Sequence, residues 1–174
     1  MKRREVDFPE VYLKPGKMYC AEHPTLVVTV LGSCVSVTMF SRRTGVGAIC
    51  HGHLPRCPGL KNCGGACLEG FKYVDCSIRQ MARLFDHYGV KRGEIEVKCF
   101  GGADMFSRQT NKSRTESVGR QNIQAAEQTI AGEGLSVLTR DVGGPQGRKI
   151  LFYTDTGEVF LKRLTKVNDP DIRW

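Results

Sequence analysis

Short apolar runs separated by glycine, proline or charged residues dominate the first third of the chain. Residues 25–31 are rich in Val, Thr and Leu, residues 35–40 and 46–50 are also largely apolar, and a shorter run at residues 11–16 ends in Pro15-Gly16. Runs of about four to eight residues with many β-branched side chains are typical of β-strands. The pattern therefore predicts a strand at each run, with a loop at residues 22–24.

The apolar positions change to helical spacing in two later stretches. Residues 73–88 carry apolar side chains at helical intervals, and Gly89 follows as a helix stop. The spacing of residues 113–116 is that of a capping box, which predicts the start of a second helix. This helix ends near Gly132 or Gly134, and one of its faces consists of Val118, Asn122, Ala126 and Ile130.

The remaining apolar runs predict strands at residues 94–100, 135–139, 148–153 and 158–164, and Asp155-Thr156-Gly157 is a hairpin signal between the last two. This order of elements favours an α+β fold, a layered sandwich of mixed β-sheets with two main helices. No repeat or linker interrupts the chain. We therefore expect one domain over residues 1–174, with a core of about residues 9–164 and flexible termini.

Composition and charge narrow the class of protein. Apolar residues make up 40% of the 174 residues and charged residues 25%, which is typical of a globular chain. No apolar run approaches the ~18 residues that span a bilayer, and no apolar segment follows the basic residues 1–4 as in an export signal. We therefore expect a cytoplasmic protein without membrane insertion. The formal charge of +8 favours an acidic partner, and because no nucleic-acid-binding motif is present we expect an acidic protein rather than nucleic acid.

The cysteine content raises the alternative of a metal-binding or redox module. The chain has eight cysteines, which we expect to be reduced because no export signal is present. Some of them lie near histidines, as in structural zinc sites, in the cluster Cys50, His51, His53, Cys57, Cys63 and Cys67. Their spacing fits no standard zinc pattern, so we predict no metal and no cofactor. A structural zinc or a regulatory disulfide in the loop of residues 57–67 stays open.

One cysteine follows a break in an apolar run. Gly32-Ser33 ends the run directly before Cys34, and glycine adopts the backbone angles that a sharp turn needs. A later run ends at His51, and a thiol beside an imidazole is the pairing of a thiol hydrolase. A cysteine without such a partner is usually a small buried hydrophobe. His53 is an equal candidate on spacing alone, since residues i and i+2 of a strand share a face.

Several stretches, spread in order from near residue 9 to near residue 164, resemble one known family. They are VYLKPG at 11–16, TVLGSCV at 29–35, His51 with Leu54-Pro55, YVD at 73–75, FGGADMF at 100–106, VGRQN at 118–122 and TGEV at 156–159. Together they resemble the CheD family, the chemoreceptor glutamine deamidases of bacterial chemotaxis.

The resemblance implies an enzyme, a protein-glutamine glutaminase that converts receptor glutamines to glutamate with release of ammonia. It implies that Cys34 is the nucleophile, His51 the general base and then acid, and Thr29 the residue that orients the imidazole. Thr29 is one residue nearer to the Gly-Ser-Cys stretch than in many members. The family resemblance also implies a fold similar to the catalytic domain of cytotoxic necrotizing factor toxins. Attack on an amide requires a lowered thiol pKa, and a backbone N–H near Cys34 is the expected donor to the oxyanion.

The resemblance also implies partners. The substrates are methyl-accepting chemotaxis receptors, and a CheC-type phosphatase is a possible second partner, which leaves a non-catalytic adaptor as a further alternative. The basic loop at residues 107–114 and Arg120 are candidates for guiding an acidic receptor helix, and residues 100–102 for lining the cleft.

Overall fold

The computed structural model describes residues 8–59, 70–104 and 116–164. Short 3-10 helices at Gly70–Lys72 and Arg92–Glu94 precede α1 and the sixth strand. The helices are α1 (Val74–His87) and α2 (Val118–Gly132). The strands are β1 (Glu10–Tyr12), β2 (Lys17–Ala21), β3 (Leu26–Leu31), β4 (Val35–Ser41), β5 (Val46–His51), β6 (Glu96–Gly101), β7 (Val137–Val142), β8 (Arg148–Tyr153) and β9 (Val159–Arg163).

The strands form two mixed sheets. The outer sheet has the order β1-β3-β8-β9, and the central sheet has the order β2-β5-β4-β6-β7. Each sheet contains one parallel pair, β1 with β3 and β6 with β7, while the other pairs are antiparallel. The predicted α+β architecture with mixed sheets and two main helices is therefore confirmed.

Two apolar cores define the layers. One core lies between the outer and central sheets and contains Val27 and Ile150 from the outer sheet with Ile49 and Phe100 from the central one. The other lies between the central sheet and the helices, and contains side chains of β4, β5 and β6 together with α1 and α2. Because the central sheet is buried on both faces, every residue of β4 and β5 is buried. None of the described helices is long and apolar enough to cross a membrane.

Most of the predicted elements are present with small shifts at their ends. The strands predicted from residue 25 to residue 50, the strand at Arg148–Tyr153 and the helix α1 are confirmed. β8 and β9 form the predicted hairpin, and Gly157 has φ of +71° in their connection. Gly89 directly follows Tyr88, the C-cap residue of α1, and it also has positive φ.

One strand was missed, and two predictions need correction. The strand β2 was not predicted, because Lys17–Ala21 has no β-branched residue and lies at a sheet edge. The strand predicted from Leu135 begins at Val137, because Leu135 packs in the core and its N–H caps α2 at the Ile130 carbonyl. The helix α2 is capped by Ser117, whose side chain accepts from the Arg120 N–H, and not by the proposed capping box, most of which lies outside the described residues.

The chain changes sheets between β3 and β4. β3 belongs to the outer sheet and β4 to the central sheet, so residues 32–34 cross the edge of the sandwich. This crossing places Cys34 at the edge of the core between the sheets, against which its side chain packs.

Candidate active site

Thr29 and His51 face each other across the sandwich. Thr29 is in β3 of the outer sheet and His51 is the last residue of β5 in the central sheet. The distance from Thr29 Oγ1 to His51 Nδ1 is 2.7 Å, and the two residues are 0% and 1% exposed. The two side chains therefore form a buried contact between the sheets.

The hydrogen bonds of Thr29 fix the tautomer of the imidazole. The Thr29 hydroxyl donates to the Leu13 carbonyl over 2.7 Å. A hydroxyl has one proton and a carbonyl can only accept, so Thr29 Oγ1 must accept the second bond from His51 Nδ1–H. The lone pair of the neutral ring is then on Nε2, which is buried and has no hydrogen-bond partner among the described residues.

Burial keeps His51 neutral. Loss of solvent lowers the pKa of His51 to about 4, against the opposing effect of the Leu13 carbonyl, and neighbouring His53 lowers it further. An imidazole with this pKa is an unprotonated base at neutral pH.

The strand register places Cys34 on the same face as His51. Val35 and Gly52 exchange two backbone hydrogen bonds of 2.9 Å, so β4 and β5 remain paired where Cys34 and His51 lie. In this antiparallel register Cys34 is opposite His53 and diagonal to His51, at the ~7–8 Å Cα spacing of diagonal neighbours. The thiol is free and half-buried, and it does not hydrogen-bond to His51 Nε2.

The expected lowering of the Cys34 pKa is wrong for this arrangement. Burial raises the pKa of the Cys34 thiol, and a hydrogen bond from its own backbone N–H only partly opposes this effect. The reason is physical: a thiolate loses more solvation in the half-buried site than one N–H returns. The unliganded pair therefore consists of a neutral thiol and a neutral imidazole.

Glycines let the end of β6 approach the cysteine backbone. The Gly102 N–H donates to the Cys34 carbonyl over 2.7 Å, and a Cβ on Gly101 would collide with that same oxygen. Both glycines have positive φ, of +104° and +66°. A Cβ on Gly119 of α2 would lie 2.7 Å from the carbonyl oxygens of Gly102 and Ala103, so the helix packs directly on this turn.

The other predicted site residues are not joined to this arrangement in the same way. His53 lies on the strand extension beyond His51, with its ring beside Gly16, and Thr29 bonds to His51 and not to His53. Phe100 is buried between the sheets. Arg120 has 74% of its side chain exposed, at the start of α2, and residues 107–114 lie outside the described residues.

The cysteine and histidine cluster is divided by the fold. Cys50 packs in the helix-side core, on the opposite face of β5 from His51. Cys57 is buried, with its backbone N–H bonded to Asp75. Among the described residues, no group of three or more His, Cys, Asp or Glu is placed to hold a metal. Cys63 and Cys67 lie outside the described residues, so a zinc or disulfide in their loop stays untested.

Comparison with known proteins gives the family. The family described as CheD chemotactic sensory transduction matches residues 61–163. A probable chemoreceptor glutamine deamidase CheD 2 of Geobacter sulfurreducens is 46% identical over 166 residues, which cover 95% of this chain and 97% of that protein. The chain belongs to the CheD family.

A further relative and a solved structure also match this chain. A probable chemoreceptor glutamine deamidase CheD of Maridesulfovibrio salexigens is 39% identical over 167 residues, 95% of this chain and 98% of that one. A crystal structure of the Bacillus licheniformis hypothetical protein YfiH overlaps more partially, with a TM-score of 0.47 and 9% identity over 71% of this chain and 49% of that one. The relatives are aligned over nearly the whole CheD-family chain, including the stretch before residue 61 that carries Cys34 and His51.

One residue of this CheD-family site was not recognised from the sequence. Asn122 was placed on a helix face and in the stretch at 118–122 that resembles the family, without a role of its own, yet its amide nitrogen donates to the carbonyls of Ser33 and His53. A polar residue in an otherwise apolar or small helix face is the sequence signal that could have revealed it.

Proposed function

We propose that this protein is a protein-glutamine glutaminase that hydrolyses glutamine side chains of methyl-accepting chemotaxis receptors to glutamate and ammonia. The observation that supports this most directly is the hydrogen-bonded chain from the Leu13 carbonyl through Thr29 to His51, beside a free thiol on the same face. The relatives named as chemoreceptor glutamine deamidases supply the substrate class.

In the proposed reaction, His51 acts first as a base. Its Nε2 takes the Cys34 proton as Sγ attacks the carbonyl carbon of the glutamine side chain, and Thr29 holds Nδ1–H so that Nε2 keeps its lone pair. Because the thiol is not hydrogen-bonded to Nε2, the two groups have to come closer together for attack. Contacts of this kind are often loose before substrate binds.

The same imidazole then acts as an acid. The protonated Nε2 gives its proton to the amide nitrogen, the carbon–nitrogen bond breaks, and ammonia leaves with a thioester on Cys34. Water attacks this thioester with its proton taken by Nε2, and the carbon–sulfur bond breaks to give glutamate and the free thiol. The net change is addition of one water and loss of one ammonia.

The proposal also covers location, partners and organisation. The enzyme acts in the cytoplasm, as one domain, on an acidic receptor surface that its charge of +8 favours. Arg120 is an exposed cation near the glycine turn and is our candidate for contact with that surface. A CheC-type phosphatase is a second candidate partner.

Incubation with a receptor fragment tests the activity. We expect ammonia release and a Gln-to-Glu mass shift in receptor peptides, both absent with Cys34→Ala and with His51→Ala. If His53→Ala abolishes the shift and His51→Ala does not, the assignment of the base is wrong. If receptor peptides stay unchanged while Cys34→Ala still supports chemotactic signalling, the protein is a non-catalytic adaptor.

Thr29 has its own test. Thr29→Val keeps the shape of the side chain but removes the acceptor for Nδ1–H, so we expect kcat to fall by about tenfold or more as the wrong tautomer becomes populated. Thr25→Val is the matched control, because Thr25 is another buried threonine, 4% exposed, whose hydroxyl donates to the His23 carbonyl. Equal kcat for wild type and Thr29→Val would remove Thr29 from the mechanism.

A further inference from the structure

Asn122 connects two segments of the candidate site to α2. It lies in the second turn of the helix and is 0% exposed. Its Nδ2 donates to the Ser33 carbonyl over 2.9 Å and to the His53 carbonyl over 3.2 Å. One amino group thus holds the residue before Cys34 and the chain that continues from His51.

The burial of this carboxamide is costly. Asn122 Oδ1 is buried and has no hydrogen-bond partner among the described residues. A buried polar atom left unpaired lowers the stability of the folded state, and this offsets much of what the two donated bonds contribute. A gain in stability therefore does not account well for an asparagine at position 122. The location of its two acceptors, on either side of the reacting pair, does account for it.

The bond to Ser33 fixes the direction of the Cys34 N–H. The Ser33 carbonyl and the Cys34 N–H belong to one planar trans peptide and point in opposite directions. When Asn122 holds the carbonyl, the N–H is directed away from α2. The next peptide is fixed as well, because the Cys34 carbonyl accepts from Gly102 and the Val35 N–H donates to Gly52.

The Cys34 N–H is available for the reaction. Within the described residues it donates to no backbone carbonyl, and its effect on its own thiol partly opposes the rise in the Cys34 pKa. A donor at the nucleophile is also near the oxygen of a tetrahedral intermediate formed on that sulfur, where preorganised N–H groups stabilise the developing charge.

We propose that Asn122 is a positioning residue for the deamidation: it holds the Ser33–Cys34 peptide so that the Cys34 N–H faces the sulfur and the oxyanion that forms beside it. This role rests on the proposed function for its kinetic consequence. Its effect on the thiolate does not depend on any substrate.

Asn122→Leu tests the proposal, because leucine has nearly the same shape and no donors. We expect kcat on a receptor fragment to fall about tenfold or more, towards the 10²–10³-fold loss that follows removal of an oxyanion donor, with a much smaller change in KM. We also expect iodoacetamide to alkylate Cys34 more slowly at each pH, with the midpoint moved to higher pH, because a peptide free to turn stabilises the thiolate less.

Thr129→Val is the matched control. Thr129 is another buried polar residue of α2, and its hydroxyl donates to the Ala125 carbonyl of the same helix. We expect its loss to lower thermal stability and to leave kcat and the alkylation profile unchanged. If Asn122→Leu behaves like this control, with wild-type kcat and wild-type alkylation in the folded protein, the residue is only structural and the proposal is overturned.

Two further outcomes are informative. If Asn122→Leu does not fold, Asn122→Ser replaces it; a folded Asn122→Ser with wild-type kcat and alkylation overturns the proposal, and losses in both support it. If the wild-type protein deamidates no receptor fragment, the proposed function fails, while the alkylation profile still decides whether Asn122 orients the Cys34 peptide.

Discussion

His51 is buried and Cys34 is half-buried, and this burial sets the protonation states of both proposed reacting groups. Burial lowers the pKa of His51 to about 4 and raises the pKa of Cys34. Both shifts favour the uncharged forms, so the resting site holds no thiolate–imidazolium pair. The proton of Cys34 is then transferred during the attack. The hydrogen bond from His51 Nδ1 to Thr29 decides which ring nitrogen receives it.

The raised pKa of Cys34 predicts its reactivity. Only the thiolate reacts with iodoacetamide, and a group whose pKa is raised is less ionised at each pH below that pKa. We expect slow alkylation at about pH 6 and a rate that still rises above the ordinary thiol pKa of ~8.5. Peptide mass spectrometry measures the label at Cys34, with Cys34→Ser as the control for the other cysteines. A fast rate that is flat from about pH 5 to 8 would instead indicate an ion pair with His51.

The lowered pKa of His51 predicts a pH-dependent stability. The unfolded histidine titrates near 6.5 and the folded one near 4, so the unfolded chain binds the additional proton between these values. Stability is therefore fully present above pH 6.5 and falls as the pH drops towards 4, by on the order of 3 kcal/mol in total.

Urea unfolding at about pH 7 and about pH 5 measures this effect. His51→Gln should lose much of the difference between the two conditions, because glutamine does not titrate. His87→Gln removes an exposed histidine of α1 and should retain the wild-type difference. Identical pH dependence in wild type and His51→Gln would show that the proton taken up on unfolding does not come from His51.

The elements differ in how well the sequence predicts them. β4 and β5 are buried on both faces, so their runs of Val, Ile and Ala stand out without any knowledge of partners. β7 contains Arg140 and Asp141, whose polarity ended the predicted strand at residue 139, although this edge strand of the central sheet continues to Val142. The local sequence pattern predicts an element when the residues of that element are themselves apolar and buried. It fails when polar residues form a strand because they pair with a neighbouring strand.

The candidate site was predictable to a similar degree. The proposed nucleophile and base were predicted from a glycine break, a strand end and a family resemblance. The contact of Thr29 with His51 was not predictable from local pattern, because it requires consecutive strands to lie in different sheets. Asn122 was missed for the same reason, since its acceptors lie far away in the sequence.

The end of β6 gives a prediction at the element scale. Gly101→Ala adds a Cβ that collides with the Cys34 carbonyl oxygen, at a residue with φ of +104°. We expect the unfolding free energy to fall by about 2–4 kcal/mol, from backbone strain and overpacking together, and kcat to fall because the Cys34 backbone is displaced. Chemical denaturation and deamidation assays measure the two effects.

Gly144→Ala is the matched control for this prediction. Gly144 also has positive φ, of +71°, but a Cβ there meets nothing within 4 Å. The unfolding free energy of Gly144→Ala should therefore fall by about 1 kcal/mol, from the strain of the backbone angle alone, with little change in kcat. Equal kcat losses in the two variants would mean that backbone strain, rather than pressure on the Cys34 carbonyl, is responsible.

At the scale of the whole molecule, the site depends on how the two sheets are held together. Thr29 and His51 come from different sheets, so any sliding of one sheet over the other breaks their contact. A second link lies nearby, where Arg148 of the outer sheet donates over 2.7 Å to Asp141 of the central sheet. Arg148 also donates to the Gly143 carbonyl, and the Gly143 N–H donates to the Gly101 carbonyl. The link therefore leads to the turn that holds Cys34.

This second link gives the last prediction. Burial tends to raise the pKa of Asp141, but hydrogen bonds from Arg148 and Arg163 bring it below its usual value, so the carboxylate is charged and paired at neutral pH. Asp141→Asn leaves the Arg148 side chain, only 4% exposed, without its counter-charge. We expect a loss of about 2–3 kcal/mol in unfolding free energy, somewhat less than for a fully buried pair, together with a lower kcat.

Arg163 separates the effect of the buried link from that of a surface ion pair. It donates to the same carboxylate over 2.7 Å but has 57% of its side chain exposed. Arg163→Gln should therefore cost less than about 1 kcal/mol and leave kcat unchanged. If urea unfolding gives both variants the same small loss, the Arg148–Asp141 pair does not hold the sheets in register. The packing of Val27, Ile49 and Phe100 in the core between the sheets would then be what keeps Thr29 against His51.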